Sequence, residues 1–189
     1  FNVEMVFKKG ILYWNNGELR DFEAPKIEEY LDKRAHDTFH VSTLTPDDFR
    51  DTRQRGVLGM VPGEIITTDN GYADHVDLEK DILKIAVVER HKGTHHIGLG
   101  YIQGYGLKSG AVATSISHDS HNIIVVGTNS ADMAFAANYI VEHHGGIVVV
   151  ESGVVKGSVV LEIAGIMSDR PLTEVNDQLE AAKAAAFEL

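Results

Sequence analysis

Between Asp81 and Gly165 the chain passes through short apolar stretches separated by turn residues, and only once does the hydrophobic period change from 2 to 3.6. "DILKIAVVERH" at 81–91, "AVATSIS" at 111–117, "NIIVVG" at 122–127, "GIVVV" at 146–150 and "VVKGSVVLEIAG" at 154–165 read as strands. After Gly127 the period lengthens, and Met133, Ala137, Ile140, Val141 and His144 fall on one helical stripe. Asn129 or Ser130 can cap that helix, Asp132 lies in its first turn, and Gly145-Gly146 end it. A doubly wound parallel sheet needs a helix after nearly every strand, and this chain has too few such units. Strands in runs with helices set apart predict an α+β layer, a mostly antiparallel sheet covered by helices.

The flanks complete the outline. Val3–Phe7 and Ile11–Trp14, joined by Lys8-Lys9-Gly10 and followed by Asn15-Asn16-Gly17, predict a short β-hairpin within residues 1–21. Residues 22–55 are polar and charged and read as a connector, with "TPDDF" at 45–49 placing Thr45 as cap and Pro46 as first residue of a short helix. Residues 56–189 read as the body of the domain, beginning with a β-rich run, "GVLGMVPGEIITTD", that Pro62-Gly63 interrupts. Lys92 to Gly110 carries glycine at 93, 98, 100, 104, 106 and 110, so this stretch is expected to turn often and to approach another surface closely. An alanine-rich helix from about Leu172 to Phe187, led by Asp169 and Pro171, closes the sequence.

Charge and composition remove several classes of function. The 189 residues carry a net charge of −11, and protonating all ten histidines would still leave −1, which opposes a nucleic-acid partner. No apolar run approaches the ~18–20 residues of a membrane span, and the first residues lack the order of a signal peptide, so a cytoplasmic chain is expected. Cysteine is absent, which excludes disulfides, thiolate nucleophiles and zinc–cysteine sites. The chain begins with Phe rather than Met, as a processed product or a piece of a longer polypeptide would.

Chemistry concentrates in "SHDSHN" at 117–122, set against the strand Ile123–Gly127. His118 and His121 are three apart, so only a bend or helical turn brings both imidazoles to one point. A bent loop at the end of a buried strand is a common seat for ligand-contacting groups, whereas a polar turn satisfying its own backbone explains the same residues. "RHKGTHH" at 90–96 brings His91, His95 and His96 to the end of another strand. Pooled with His118, Asp119 and His121 these are imidazole and carboxylate donors for a transition metal, but neither spacing matches a metal motif, and structural or surface histidine is the better reading of His95 and His96. Adjacent Ser, His and Asp in one loop do not stack as a nucleophilic triad, and no G-x-S-x-G elbow is present. "GLGYIQGYG" at 98–106 misses the dinucleotide fingerprint because its third Gly arrives one residue late. "EHHGG" at 142–146 reads as histidines at a helix C-terminus.

The block from Asp81 to Val150, with "LEIAGIMSD" downstream and "TLTPDDFR" and "VPGEIITT" upstream, resembles the C-terminal domain of bacterial adenine deaminases of the amidohydrolase superfamily. The likeness covers about residues 40–170, and Phe1–Asp21 resembles the β-segment by which such enzymes return from their catalytic barrel. It implies hydrolysis of adenine to hypoxanthine and ammonia at a manganese or iron centre held by a barrel that has no counterpart here. It further implies that His118, Asp119, His121 and Asn122 face that barrel and support substrate closure, that no cofactor is bound by these residues themselves, and that the protein is a homo-oligomer inactive without its barrel. Two departures stand out: "GTHHIGLG" has His where Gly is more usual, and "SVVLEIAGIMSD" lacks an expected Leu-Pro run. The alternative is a self-contained binding or oligomerisation module with no part in catalysis.

Overall fold

The computed structural model describes residues 2–21, 23 and 25–189. They divide into two compact units, residues 1–32 and 33–189. In the first, β1 (Met5–Lys8), β2 (Ile11–Asn15) and β3 (Glu18–Leu19) form an antiparallel three-stranded sheet in chain order. The hairpin expected from the sequence is present. Asn16 and Gly17 both take positive φ, 46° and 100°, the combination a two-residue primed turn requires. Trp14 donates its indole N–H to the Val3 carbonyl at 2.9 Å. Helix α1 (Glu29–His36) spans the division between the units.

The second unit is built on an eight-stranded sheet. Its strands are β4 (Arg55–Met60), β5 (Thr67–Ala73), β6 (Ile82–Val88), β7 (Ile97–Gln103), β8 (Ala111–Thr114), β9 (Ile123–Gly127), β10 (Gly146–Glu151) and β11 (Val154–Val160). They lie in the order β11-β10-β8-β9-β6-β7-β4-β5, antiparallel throughout except where β4 runs beside β7. The fold is α+β, as the single change of period predicts. "GLGYIQ", glycine-rich as it is, forms the extended strand β7, and the turns expected of the 92–110 stretch fall on either side of it, at Gly93, Gly104, Gly106 and Gly110, with φ 64°, 89°, 90° and 73°.

Strand alternation assigns the two faces. Ala86, Val88, Ala113, Ile123, Val125 and Val148 point to one side, where helix α2 (Ser130–Glu142) buries Met133, Ala137 and Ile140 against them. Asn129 caps α2 by accepting the Asp132 amide at 2.8 Å. Leu44 and Phe49 join this core from the stretch read as a connector. They are fixed there by Asn138, whose amide exchanges hydrogen bonds of 2.9 and 2.8 Å with the Leu44 backbone. Pro46–Phe49 forms the short 3-10 helix that the sequence suggests, with the Asp48 carboxylate reaching back to the Thr45 amide at 2.7 Å. On the opposite face, helix α3 (Leu172–Glu188) covers β10 and β11, packing Val175, Leu179 and Ala182 on Ile147, Val159 and Leu161. Gly110 marks one close backbone approach in the sheet. Its φ is +73°, and a Cβ there would collide with the Val150 carbonyl oxygen.

Candidate functional site

Connections of opposite hairpins meet at one end of the sheet. The 89–96 loop follows β6, the 115–122 loop follows β8, and β6 and β9 pair so that Val88 lies opposite Ile123. Both loops therefore start from adjacent strand ends. Arg90 ties them together. Two residues past the end of β6 it is only 2% exposed, and its guanidinium donates to the carbonyl of His121, to the carbonyl and hydroxyl of Thr38 at 3.0 Å each, and to the carbonyl of Ala164 at 2.9 Å. Its flat face lies 4.2 Å from the centre of the Phe39 ring. Burial depresses its pKa, and its cation is balanced by carbonyl dipoles rather than by a carboxylate.

The rest of the 89–96 loop is held by two further residues. Glu89 sits at its base, where partial desolvation raises its pKa but hydrogen bonds from the Thr94 hydroxyl and the His91, Lys92 and Thr94 amides outweigh that effect and hold it at about 2. His95, in left-handed backbone at φ 55°, bridges Ser42 and Asp48: Nδ1 is 2.9 Å from the Ser42 hydroxyl and Nε2 is 3.0 Å from an Asp48 carboxylate oxygen. The Asp48 pKa is lowered, chiefly by the Thr45 amide and in part by His95. A Ser-His-Asp sequence in space thus exists, but it is made of residues 42, 95 and 48, and it latches the loop to the 3-10 helix.

The 117–122 loop has an inner and an outer side. His121 and Asn122 face inward. The His121 amide donates to Ser117 at 2.6 Å, the His121 carbonyl receives Arg90, and the Asn122 side chain accepts the Arg90 amide at 3.4 Å. The Nδ1 atom of His121 is buried without a hydrogen-bond partner. His91 joins the two loops, its Nε2 lying 2.9 Å from the Ser120 carbonyl. His118 and Asp119 point outward, 3.1 Å apart and each 93% exposed at the side chain. Asp119 and His121 both adopt positive φ, 64° and 48°, which is how one short loop directs neighbouring side chains to opposite sides.

The pooled histidines do not converge. His91 meets Ser120, His95 meets Ser42 and Asp48, and His96 is exposed with its carbonyl taken by the Glu89 amide at 3.0 Å. Among the described residues no group of three or more His, Asp or Glu side chains could hold a metal ion. His143 closes α2 instead, stacked on Tyr139 at 3.8 Å with Nδ1 on the Tyr139 carbonyl. Sequence reasoning passed over Arg90, Ser42 and Asp48, because a cation before a turn reads as solvent-facing and their partners lie tens of residues away.

The fold and the loops define an α+β domain whose hairpin connections are locked around a buried arginine and whose polar loop tip is presented to solvent. The family model for the adenine deaminase C-terminal domain matches residues 63–189, and the chain belongs to that family. It is 46% identical to adenine deaminase 1 of Rhizobium meliloti (strain 1021) over 143 residues, 72% of this chain and 25% of the relative. It is also 46% identical to adenine deaminase of Brucella anthropi over 158 residues, 78% of this chain and 28% of the relative. To adenine deaminase of Dehalococcoides mccartyi it is 38% identical, over 95% of this chain and 32% of the relative. The chain thus spans between a quarter and a third of these relatives.

Proposed function

We propose that these residues serve as the C-terminal part of an adenine deaminase, which converts adenine and water to hypoxanthine and ammonia, and that their task is to wall the bound base. The observation that carries the reading is the family match, joined to a loop whose base is locked and whose tip is free. The donor set does not fit a manganese or iron centre, since no three metal-ligating side chains converge among the described residues. On this reading the ion is held by polypeptide outside these 189 residues, in an amidohydrolase barrel.

The outward pair is suited to a purine. His118 and Asp119 place an imidazole and a carboxylate 3.1 Å apart, groups of the kind that exchange protons at the edge of a base. His121 and Asn122 hold that pair in place from within by fastening the loop to Arg90. Arg90 and Glu89 act on substrate only through this positioning.

The test uses a polypeptide of the relatives' full length. His118→Ala and Asp119→Asn should lower ammonia release from adenine by about 10-fold or more, as losing a positioned proton carrier does, while leaving the unfolding midpoint in place because both side chains are exposed. The isolated 189 residues should release no ammonia. Full turnover in a folded His118→Ala variant, or turnover by the 189 residues alone, refutes the reading.

A further inference from the structure

The dipeptide Asn-Gly occurs twice, at Asn16–Gly17 and at Asn70–Gly71. In this pair an asparagine side chain cyclises most readily onto its own backbone, because glycine has no Cβ to keep the following amide nitrogen away from the side-chain carbonyl. Residue order treats the two alike. Both asparagines are exposed, and both glycines take positive φ, 100° and 84°, so neither solvent access nor left-handed backbone separates them.

Their hydrogen bonds do. Asn70 lies in β5 with its side chain held at both ends: Oδ1 accepts the Thr68 hydroxyl at 2.8 Å and Nδ2 donates to Gln103 Oε1 at 2.7 Å. The Gly71 amide, which would have to attack, donates to an Asp69 carboxylate oxygen at 3.0 Å. That carboxylate also opposes loss of the amide proton, on which the nucleophilicity of the nitrogen depends. Asn16 is the first central residue of the primed turn between β2 and β3, whose ladder pairs Asn15 with Glu18. Its backbone amide donates to the Glu4 carbonyl at 2.7 Å, and its side chain hydrogen-bonds only to its neighbour, Nδ2 lying 3.1 Å from Asn15 Oδ1. Among the described residues nothing accepts the Gly17 amide, and a Cβ placed on Gly17 would meet nothing within 4 Å, so the space over the turn is open.

We infer that Asn16 is a site of spontaneous covalent conversion in this chain, and that Asn70 is held out of the same reaction by its partners. The Gly17 nitrogen attacks Asn16 Cγ; the N–Cγ bond forms, the Cγ–Nδ2 bond breaks, and Nδ2 leaves as ammonia with the proton given up by the Gly17 amide. Water then opens the cyclic imide. Cleavage at Cγ leaves aspartate, which keeps the turn because Asp-Gly suits the same primed geometry. Cleavage at the backbone carbonyl leaves isoaspartate, which carries the chain through Cβ and Cγ, lengthens it by a methylene and loosens the pairing of Asn15 with Glu18. The reaction needs no adenine and releases at most one ammonia per chain at this position, so it stands apart from the proposed deaminase turnover.

The wild-type chain, incubated at mildly alkaline pH and digested for mass spectrometry, decides it. The peptide holding Asn16 should gain the mass of an amide-to-acid change about 30-fold faster than the peptide holding Asn70, the factor that two ordinary hydrogen bonds kept closed would supply. In urea that unfolds the chain the two should convert at closely similar rates, since only the dipeptide then counts. Asn16→Asp should abolish the gain at its peptide and keep the circular dichroism of wild type. Asp69→Ala combined with Gln103→Ala should raise conversion at Asn70 by about 10-fold or more. Equal rates in the folded chain, faster conversion at Asn70, an Asn16 that stays intact when folded yet converts in urea, or an Asn70 unmoved by loss of its partners overturns the inference.

Discussion

Replacing Arg90 with Met keeps the length and apolar stem of the side chain while removing its donors. Three partly buried carbonyls, those of His121, Thr38 and Ala164, then lose a charged partner. Hydrogen bonds to charged groups are worth ~1.5–3 kcal/mol each, so three at the low end give about 4–5 kcal/mol. Against this, the cation has no carboxylate partner among the described residues, and removing it relieves part of its desolvation. A net loss of about 3 kcal/mol is expected, a large fraction of the stability of a single domain. Arg90→Lys should recover only part, because an ammonium cannot reach three carbonyls in the geometry of the fork. Urea unfolding monitored by circular dichroism gives the stability, and amide exchange at Ser117 to Asn122 gives the local effect. If Arg90→Met unfolds within about 1 kcal/mol of wild type, the value expected for an ordinary surface change, and loop exchange is unaltered, the reasoning fails.

Gly110→Ala should cost more than ~2 kcal/mol and lower the melting temperature by several degrees, because positive φ and the collision with Val150 both oppose a side chain. Asp132→Ala should lower stability by ~2 kcal/mol in urea titration, since its buried carboxylate receives the Ser152 amide at 3.1 Å and the Gly153 amide at 2.8 Å. Glu89, depressed from 4.5 to about 2 by its hydrogen bonds despite partial desolvation, contributes stability that is complete above about pH 4.5 and lost as pH falls toward 2. The Glu89→Gln variant should show a flatter dependence of stability on pH within that window.

The elements with a regular period were legible from residue order. Helix α2 and strands β6, β8, β9, β10 and β11 each place apolar residues at the spacing their geometry demands, so their existence did not depend on distant partners. Strand β7 was hidden because glycine at 98 and 100 removed the alternating side chains by which a strand is recognised, and its extended form is imposed by pairing with β6 on one side and β4 on the other. The candidate loop at 117–122 was visible by its polar composition, but which of its side chains face out was not, since that depends on positive φ at Asp119 and His121. Arg90 gave no local sign at all. Its acceptors come from residues 38, 121 and 164, which only the folded chain brings together.

The order of the strands bears on how the molecule comes apart. β4 and β5 precede β6 and β7 in the chain yet lie outside them, and β4 is attached to β7 through only three aligned pairs, Val57–Tyr101, Leu58–Ile102 and Gly59–Gln103. During synthesis this ribbon waits for a docking edge that has not yet been made, and within the eight-stranded sheet its seam has the fewest aligned pairs. Transient detachment of the ribbon, leaving the six inner strands intact, is the opening event through which proteases and exchange reagents should first gain entry.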